Sequence, residues 1–157
     1  MGGVVVRSYL AKDSRNTLDV FLDAIVVTAA QDYSPEQVNA WAAPHERTID
    51  EWHAARARAA TRIAMIGAAV AGFADIDSQG HIDMMFVHSR FARRGVATAL
   101  LGDLETYARG ASIRRLTTDA SITARPFFER CGFVVVAEQH PVRRGVQLSN
   151  YRMSKSL

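Results

Sequence analysis

The segment between residues 87 and 98 has the residue types of an anion-binding site. An apolar stretch ends at Val87, and an arginine-rich loop leads directly into a helical pattern that begins at Gly95. The first N–H groups of a helix have no partner within it, and the helix dipole adds partial positive charge there. Gly95 lets a backbone approach an anion closely, and Arg93 and Arg94 add full charges. The segment predicts a phosphate site, although an ordinary helix start with solvated arginines has the same pattern.

Two residues just upstream have the chemistry of a general base. His81 and Asp83 stand two positions apart at the start of an apolar run, so a strand would place both side chains on one face. A carboxylate buried in such a run holds its proton more tightly than one in water, which suits a base. A structural hydrogen bond for Asp83 and a solvated position for His81 fit the pattern as well. The other histidines show no metal-ligand spacing, and the chain contains neither a dinucleotide-binding fingerprint nor a P-loop.

The elements that position these residues follow from the hydrophobic pattern. The first half predicts a β-branched strand over residues 4–9 and a helix over 13–30 that Asp13 or Ser14 caps. Ser34 and Thr48 begin two further helices, the second reaching about residue 60. Three antiparallel strands then follow over 62–66, 70–76 and 82–87, joined by tight turns.

The remainder of the chain alternates between the two periods. It predicts a helix from 96 to 110, a strand over 116–120, a short helix over 123–130 that Gly132 ends, and strands over 133–137 and 147–153. Between these last strands, Arg143-Arg144-Gly145 predicts a hairpin turn. Its arginines are either solvated or able to attract an acidic acceptor.

Two motifs in this order resemble those of one enzyme superfamily. The first is IDMMFV at 82–87 followed by ARRGVA at 92–97, and the second is SITARPFFERCGF at 121–133. They resemble the strand with Q/R-x-x-G-x-G/A and the N-x-x-A-x-x-F-Y-x-x-x-G-F motif of the GNAT N-acetyltransferases. The order of elements agrees over about residues 3–154. YSPEQ at 33–37 and DASITA at 119–124 further resemble the YafP-like branch of bacterial acetyltransferases.

The resemblance implies a fold and a reaction. The fold is the α/β GNAT fold, a mixed, mostly antiparallel sheet with helices on both faces, which we expect as one domain over residues 1–157. The reaction is transfer of the acetyl group of acetyl-CoA to a primary amine by direct attack in a ternary complex. The CoA arm lies between two splayed strands, where the N–H groups of Phe86 and Val87 face the arm or the acetyl carbonyl. The residues that the resemblance assigns to the cofactor are Met85, Phe86, Val87, Arg93, Arg94, Gly95, Val96, Ala97, Thr98, Ser121, Ala124, Phe127, Phe128 and Arg130.

Three positions depart from the family pattern. Ala92 stands where the phosphate motif has Gln or Arg, and Ser121 where many members have Asn. Phe128 replaces a tyrosine whose hydroxyl can protonate the leaving thiolate. Cys131 and Tyr151 are the replacement acids that the sequence offers, and both also suit core packing. The alternative is that the thiolate leaves unaided.

The acceptor is expected to be a small-molecule or peptide amine. Tyr33 and Trp41 lie beside and in the second helix, a region that often walls the acceptor site in this superfamily. They are therefore the predicted substrate residues, although ordinary packing predicts the same aromatics. A monomer and a homodimer both fit the resemblance.

The location of the positive charge along the chain ranks the alternative functions. The chain has a net charge of +3 and a pI near 9.4, which is typical of nucleic-acid-binding domains. Residues 1–80, however, hold 7 basic and 10 acidic side chains, and residues 81–157 hold 12 and 6. The excess lies where both motifs lie, so CoA accounts for it and no nucleic-acid partner is expected. A CoA-sensing module without turnover is the second hypothesis, and a nucleic-acid-binding domain ranks below it.

Length and composition exclude other classes. The longest charge-free apolar run, residues 63–74, is far shorter than the ~20 residues of a spanning helix, so no membrane partner is expected. The single cysteine excludes internal disulfides and a multi-cysteine zinc site. No secretory leader pattern precedes the first strand, so a cytoplasmic location is expected.

Overall fold

The computed structural model describes residues 3–157, which form ten strands and five α-helices. The strands are β1 (Val4–Ser8), β2 (Ala60–Ile66), β3 (Ala69–Ile76), β4 (His81–Ile82), β5 (Met85–Val87), β6 (Arg115–Ser121), β7 (Val134–Gln139), β8 (Val142–Arg143), β9 (Val146–Gln147) and β10 (Asn150–Ser156). The helices are α1 (Ser14–Asp23), α2 (Pro35–Ala42), α3 (Ile49–Arg58), α4 (Val96–Gly110) and α5 (Arg125–Arg130).

The strands form two four-stranded sheets and a small hairpin. One sheet has the order β1-β2-β3-β5 and is antiparallel throughout. The other has the order β4-β6-β10-β7, in which only the pair β4 and β6 is parallel. Helices and mostly antiparallel strands thus combine as the sequence predicted.

The predicted strand over residues 82–87 is broken in the structure. Its first part, β4, belongs to one sheet and its second part, β5, to the other, with Asp83 and Met84 between them. A periodicity of two describes each part, but it cannot reveal that the two parts pair with different neighbours. The break joins the two sheets and opens the space in which the site lies.

Helices cover both faces of the sheets, and each face has its own core. On one face α4 buries Leu100, Leu104 and Ala108 completely. On the other face Phe21 of α1, Ile25 of the turn that follows it and Trp52 of α3 pack with Phe73 of β3. The buried residues of α4 recur at helical spacing, as the period of this segment predicts.

Helix boundaries follow the capping residues with one exception. Ser34 and Gln37 form the expected capping box at α2, and Thr48 caps α3 by accepting from the Glu51 N–H at 3.2 Å. Asp13 does not cap α1. Its buried carboxylate instead accepts from Arg7 at 2.7 and 2.8 Å and from the Leu10 N–H, which ties β1 to the helix start.

Several predicted elements end earlier or are divided. The predicted helix over residues 13–30 is α-helical only to Asp23 and continues as a π-turn and a 3-10 turn to Gln31. The last predicted strand, 147–153, is divided into β9 and β10. The predicted hairpin turn joins β8 and β9, with positive φ at Arg144 (48°) and Gly145 (78°). No helix within residues 3–157 has the length and apolar character that crossing a bilayer requires.

Candidate active site

A gap between strands lies at the centre of the site. Among residues 3–157, β5 pairs only with β3, and β4 pairs only with Thr117 and Thr118 of β6. The last residues of β6, 119–121, therefore have β10 as their only strand partner. These residues and Met85 and Phe86 of β5 border the same cleft. The predicted splaying of the two strands is present.

The ladder between β3 and β5 determines which N–H groups face this gap. The His88 N–H donates to the Ala71 carbonyl and the Asp75 N–H to the Met84 carbonyl, both at 2.9 Å. Antiparallel partners alternate between bonded and non-bonded pairs. With this register the N–H of Phe86 points toward β3.

The N–H groups of Met85 and Val87, on either side of Phe86, point away from β3 and into the gap. This corrects the sequence-based expectation at Phe86, whose N–H belongs to the ladder, and adds Met85. The ring of Phe86 instead lines the cleft, 5.0 Å from Phe21 and 6.2 Å from Trp41 between ring centroids.

A buried ion pair holds the strand break. The Asp75 Oδ1 accepts from the N–H groups of Asp83 (3.1 Å) and Met84 (3.0 Å), and its Oδ2 accepts from Arg56 at 3.0 Å. Asp75 and Arg56 are 3% and 5% exposed. Burial raises the pKa of the Asp75 carboxyl, against the N–H donors and the Arg56 charge. The sequence analysis did not predict this pair. Asp75 is the one carboxylate of the apolar strand predicted over 70–76, and that position indicates a buried partner for its charge.

The start of α4 has the geometry of an anion site. Gly95 precedes the helix with φ 80°, and Arg93 also has a positive φ of 61°. A Cβ added at Gly95 would meet nothing within 4 Å, so the space above this backbone is open. Within residues 3–157, the first helical N–H with an intrahelical partner is that of Ala99, which donates to Gly95. The N–H groups before it are available to an anion, as predicted.

Arginines surround this helix start. The guanidinium groups of Arg90 and Arg94 lie 4.8 and 5.7 Å from the Phe91 ring centroid, and Arg93 is exposed. None of the three has a carboxylate within 4.0 Å in the part of the chain that the structure describes. Arg90 thus supplies a positive charge near Ala92, the position where the family's phosphate motif has Gln or Arg.

The second motif closes the other side of the gap. Ser121 ends β6, and its Oγ accepts from the Ala124 N–H at 3.0 Å, which turns the chain toward α5. Ser121, Ala124 and the buried Phe128 all line the cleft. Phe127 packs on Phe128 at 5.4 Å between centroids, and Arg130 is exposed at the helix end.

The cleft itself has a volume of about 420 Å³, within the range of small-molecule sites. Tyr33 and Trp41, the residues predicted to contact the substrate, line the cleft with their ring centroids 5.5 Å apart. The Tyr33 hydroxyl donates to the Ser149 carbonyl and accepts from the Ile122 N–H, and burial raises its pKa. The one proton of the Tyr33 hydroxyl is thus already donated within the protein, and this residue connects the segment after β6 to the segment before β10.

Of the two predicted bases, only Asp83 lines the cleft. Asp83 lines the cleft, but its side chain is exposed, so the predicted burial of this carboxylate is wrong. His81 borders a second cavity, which Asp83 also lines. The His81 Nδ1 lies 2.8 Å from the Thr117 Oγ1 and its Nε2 3.8 Å from Asp119. The strand ends at Ile82, and alternation therefore does not carry over from His81 to Asp83.

The predicted acids do not reach the cleft. Cys131 lies at the end of α5 beside Lys155, and burial raises the pKa of its thiol. Tyr151 packs under the guanidinium of Arg125, which is 4.5 Å from its ring centroid. Neither lines the cleft. These two residues therefore do not replace the tyrosine hydroxyl that is missing at Phe128.

One further cleft residue has a buried oxygen whose hydrogen-bonding capacity is not used by the described residues. Asn150, at the start of β10, lines the cleft, and its Oδ1 is buried with no hydrogen-bond partner within residues 3–157. A buried acceptor without a donor is costly. Together with the open Gly95 backbone and the N–H groups in the gap, this atom fits a long ligand that brings both phosphates and amide donors.

Comparison with known proteins gives consistent similarities. The family model of the acetyltransferase (GNAT) domain matches residues 29–155. The chain is 40% identical over 155 residues to the uncharacterized N-acetyltransferase YafP of Escherichia coli strain K12, covering 98% of this chain and 96% of that protein.

Solved structures show the same architecture. A GCN5-related N-acetyltransferase from Rhodopseudomonas palustris aligns with a TM-score of 0.94 and 34% identity, over 100% of this chain and 98% of that one. PaiA N-acetyltransferase from Thermoplasma acidophilum, solved in complex with coenzyme A, aligns with a TM-score of 0.76 over 99% of both chains at 16% identity. The second likeness concerns the fold alone.

Proposed function

Since the chain belongs to the GNAT acetyltransferase family, we propose that it transfers the acetyl group of acetyl-CoA to a primary amine by direct attack in a ternary complex. The observation that carries this proposal is that two binding features lie next to each other along the chain, the strand gap at β5 and the start of α4 that follows it. The gap presents the N–H groups of Met85 and Val87, and the start of α4 presents free N–H groups beside three unpaired arginines. One binds a thioester arm and the other its phosphates.

Different residues would bind the different parts of acetyl-CoA. The N–H groups from Gly95 to Thr98 and the charges of Arg93 and Arg94 would hold the pyrophosphate. Ser121, Ala124 and Phe128 would line the arm, and the N–H groups of Met85 and Val87 would donate to its amides or to the acetyl carbonyl. When bound, acetyl-CoA supplies the activated acetyl group. Donors already in place at that carbonyl stabilise the negative charge that develops on its oxygen.

Asp83 is the proposed base. It lines the cleft beside the gap, and no basic side chain of residues 3–157 lies within 4.0 Å of its carboxylate. It takes the proton that the amine loses as its nitrogen bonds to the acetyl carbon and the carbon–sulfur bond breaks. The thiolate takes its proton from solvent, because Phe128 offers none and Cys131 and Tyr151 lie off the cleft.

A CoA-binding module without turnover is the second candidate. It is favoured by one observation, the absence of a hydroxyl at Phe128. CoA thiolate is a good leaving group, however, so the missing acid lowers the rate more than it abolishes the reaction. We propose the cytoplasm as the place of this activity, since a single free cysteine is typical of reducing compartments.

Two measurements test the proposal. Isothermal titration of acetyl-CoA should show binding, and a panel of amines should release free CoA. No binding at millimolar acetyl-CoA overturns the proposal, and binding without release on a broad panel favours the module. Asp83→Asn should lower kcat for the amine reaction and leave the Kd for acetyl-CoA unchanged, whereas His81→Ala should leave both in place. The opposite pattern would move the base to His81.

A further inference from the structure

Three arginines line the end of the cleft that the acceptor would enter. Arg47 follows α2, and Arg143 and Arg144 belong to the hairpin of β8 and β9. They lie among cleft residues that the GNAT motifs do not include, with Phe21, Trp41 and Leu148. Their charge is therefore not explained by a cofactor site at the start of α4.

Arg47 is held rigidly and carries an uncompensated charge. Its Nε donates to the Ala42 carbonyl at 2.6 Å and one terminal nitrogen to the Trp41 carbonyl at 2.9 Å. Its guanidinium lies 4.5 Å from the Phe21 ring centroid. Within residues 3–157 no carboxylate lies within 4.0 Å of it. Two carbonyls and a ring thus orient the group without neutralising it.

The surroundings of Arg47 disfavour its charge. Burial, followed by the charges of Arg144 and Arg56, lowers the pKa of Arg47. A half-buried cation with cationic neighbours gains most from an anion that enters from the cleft. The remaining N–H groups of its planar fork suit a carboxylate or a phosphate.

The two hairpin arginines differ in their pairing. Arg144 pairs with Glu46 at 2.7 Å and donates to the Ala40 carbonyl, so it anchors the hairpin to the α2 region. Arg143 is exposed and has no carboxylate within 4.0 Å among the described residues. Arg47 and Arg143 are therefore the two free cations of this end.

The carboxylates of the cleft complete the pattern. Asp119 is neutralised by Arg152 at 2.6 Å, whereas Asp83 has no such partner. The cleft thus offers a free carboxylate beside the strand gap and two free guanidinium groups elsewhere on its wall. A ligand with an amine and an anionic group matches both.

We propose that the acceptor amine carries an anionic group, a carboxylate or a phosphate, which Arg47 and Arg143 bind. The inference rests on the proposed function and narrows its substrate class. It places the amine toward Asp83 and makes Arg47 a specificity-determining residue. A purely cationic polyamine is the class that this end of the cleft repels.

Matched pairs of amines test the proposal. Phenylalanine is compared with phenethylamine, and O-phosphoethanolamine with ethanolamine, so the first pair reports on a carboxylate and the second on a phosphate. We expect at least a tenfold higher kcat/KM for the anionic member of one pair. Arg47→Gln should remove that preference, and Arg109→Gln, an exposed arginine of α4 outside the cleft, should retain it.

Binding separates this proposal from the function on which it rests. Titration of the same four amines into CoA-saturated protein should show tighter binding of an anionic member, and the difference should disappear in Arg47→Gln. If no amine releases CoA but this selective binding is present, acetyl transfer fails and the anion site stands. Equal kcat/KM and equal binding within both pairs overturn the anion site while acetyl transfer stands. The anion site is also overturned if Arg47→Gln lowers kcat/KM equally for both members of each pair.

Discussion

At the scale of single residues, Gly95 determines whether the start of α4 can hold phosphate. Its φ of 80° is strained for a residue with a Cβ, and that Cβ would project into open space above the N–H groups. We expect Gly95→Ala to raise the Kd for CoA at least tenfold, because the methyl group and the shifted backbone keep the phosphate away. Isothermal titration measures this.

The matched control lies on the same helix. Gly102 has no atom within 4 Å of an added Cβ and no positive φ. Gly102→Ala should leave the Kd for CoA unchanged and stabilise the helix by about 0.5–1 kcal/mol. If Gly95→Ala binds CoA as the unchanged protein does, the pyrophosphate lies elsewhere.

The residues of this site differ in how far the sequence could predict them. Gly95 and its arginines were predictable, because a helix start needs only local spacing. Trp41 and Tyr33 were predicted through a family resemblance, and the structure places both on the cleft wall. Arg47 was not predictable, since its role depends on an approach to Phe21 across 26 residues of chain. The burial predicted for Asp83 was wrong because the strand breaks at that residue.

At the scale of elements, the break between β4 and β5 positions the site. Asp75 holds it through the N–H groups of Asp83 and Met84 and is itself held by Arg56. Asp75→Leu alone should unfold the protein more easily, because it leaves Arg56 buried without a partner, at a cost of about 3–5 kcal/mol. Stability alone would not show that Asp75 positions the break.

Two double variants separate stability from positioning. Arg56→Met with Asp75→Asn removes both charges but keeps an oxygen for the two N–H groups, whereas Arg56→Met with Asp75→Leu removes that oxygen as well. Both should recover much of the free energy of unfolding measured in urea. Only the leucine variant should lose kcat, by about tenfold or more, since each lost hydrogen bond costs about 1 kcal/mol. Equal kcat in both variants would make Asp75 merely structural.

The elements themselves were predictable to the extent that their signals are local. The helices with caps at Ser34 and Thr48 begin at those residues, and the turn at Gly145 is where its φ preference indicates. The division of residues 82–87 between two sheets was not predictable. It depends on pairing with β3 and β6, which are distant along the chain, and on the side chain of Asp75 between them.

At the scale of the whole molecule, positively charged side chains of the basic half lie at two separate sites. Residues 81–157 carry the positive excess; Arg90, Arg93 and Arg94 lie just before α4, and Arg143 and Arg144 line the cleft. Three of the remaining cations are paired, Arg125 with Glu129, Arg152 with Asp119 and Lys155 with Glu105. A surface that binds nucleic acid needs an extended stripe of free cations, whereas CoA needs a few around one helix start.

This difference gives the last prediction. Arg90→Gln with Arg94→Gln should raise the Kd for CoA at least tenfold, because a hydrogen bond to a charged group contributes about 1.5–3 kcal/mol. Arg109→Gln with Arg114→Gln removes the same net charge from exposed positions at the far end of α4 and should change the Kd little at physiological ionic strength, where screening acts beyond about 8 Å. Equal weakening in both would attribute binding to the overall field. Displacement of CoA by duplex DNA at that ionic strength would show that the basic half serves a nucleic acid after all.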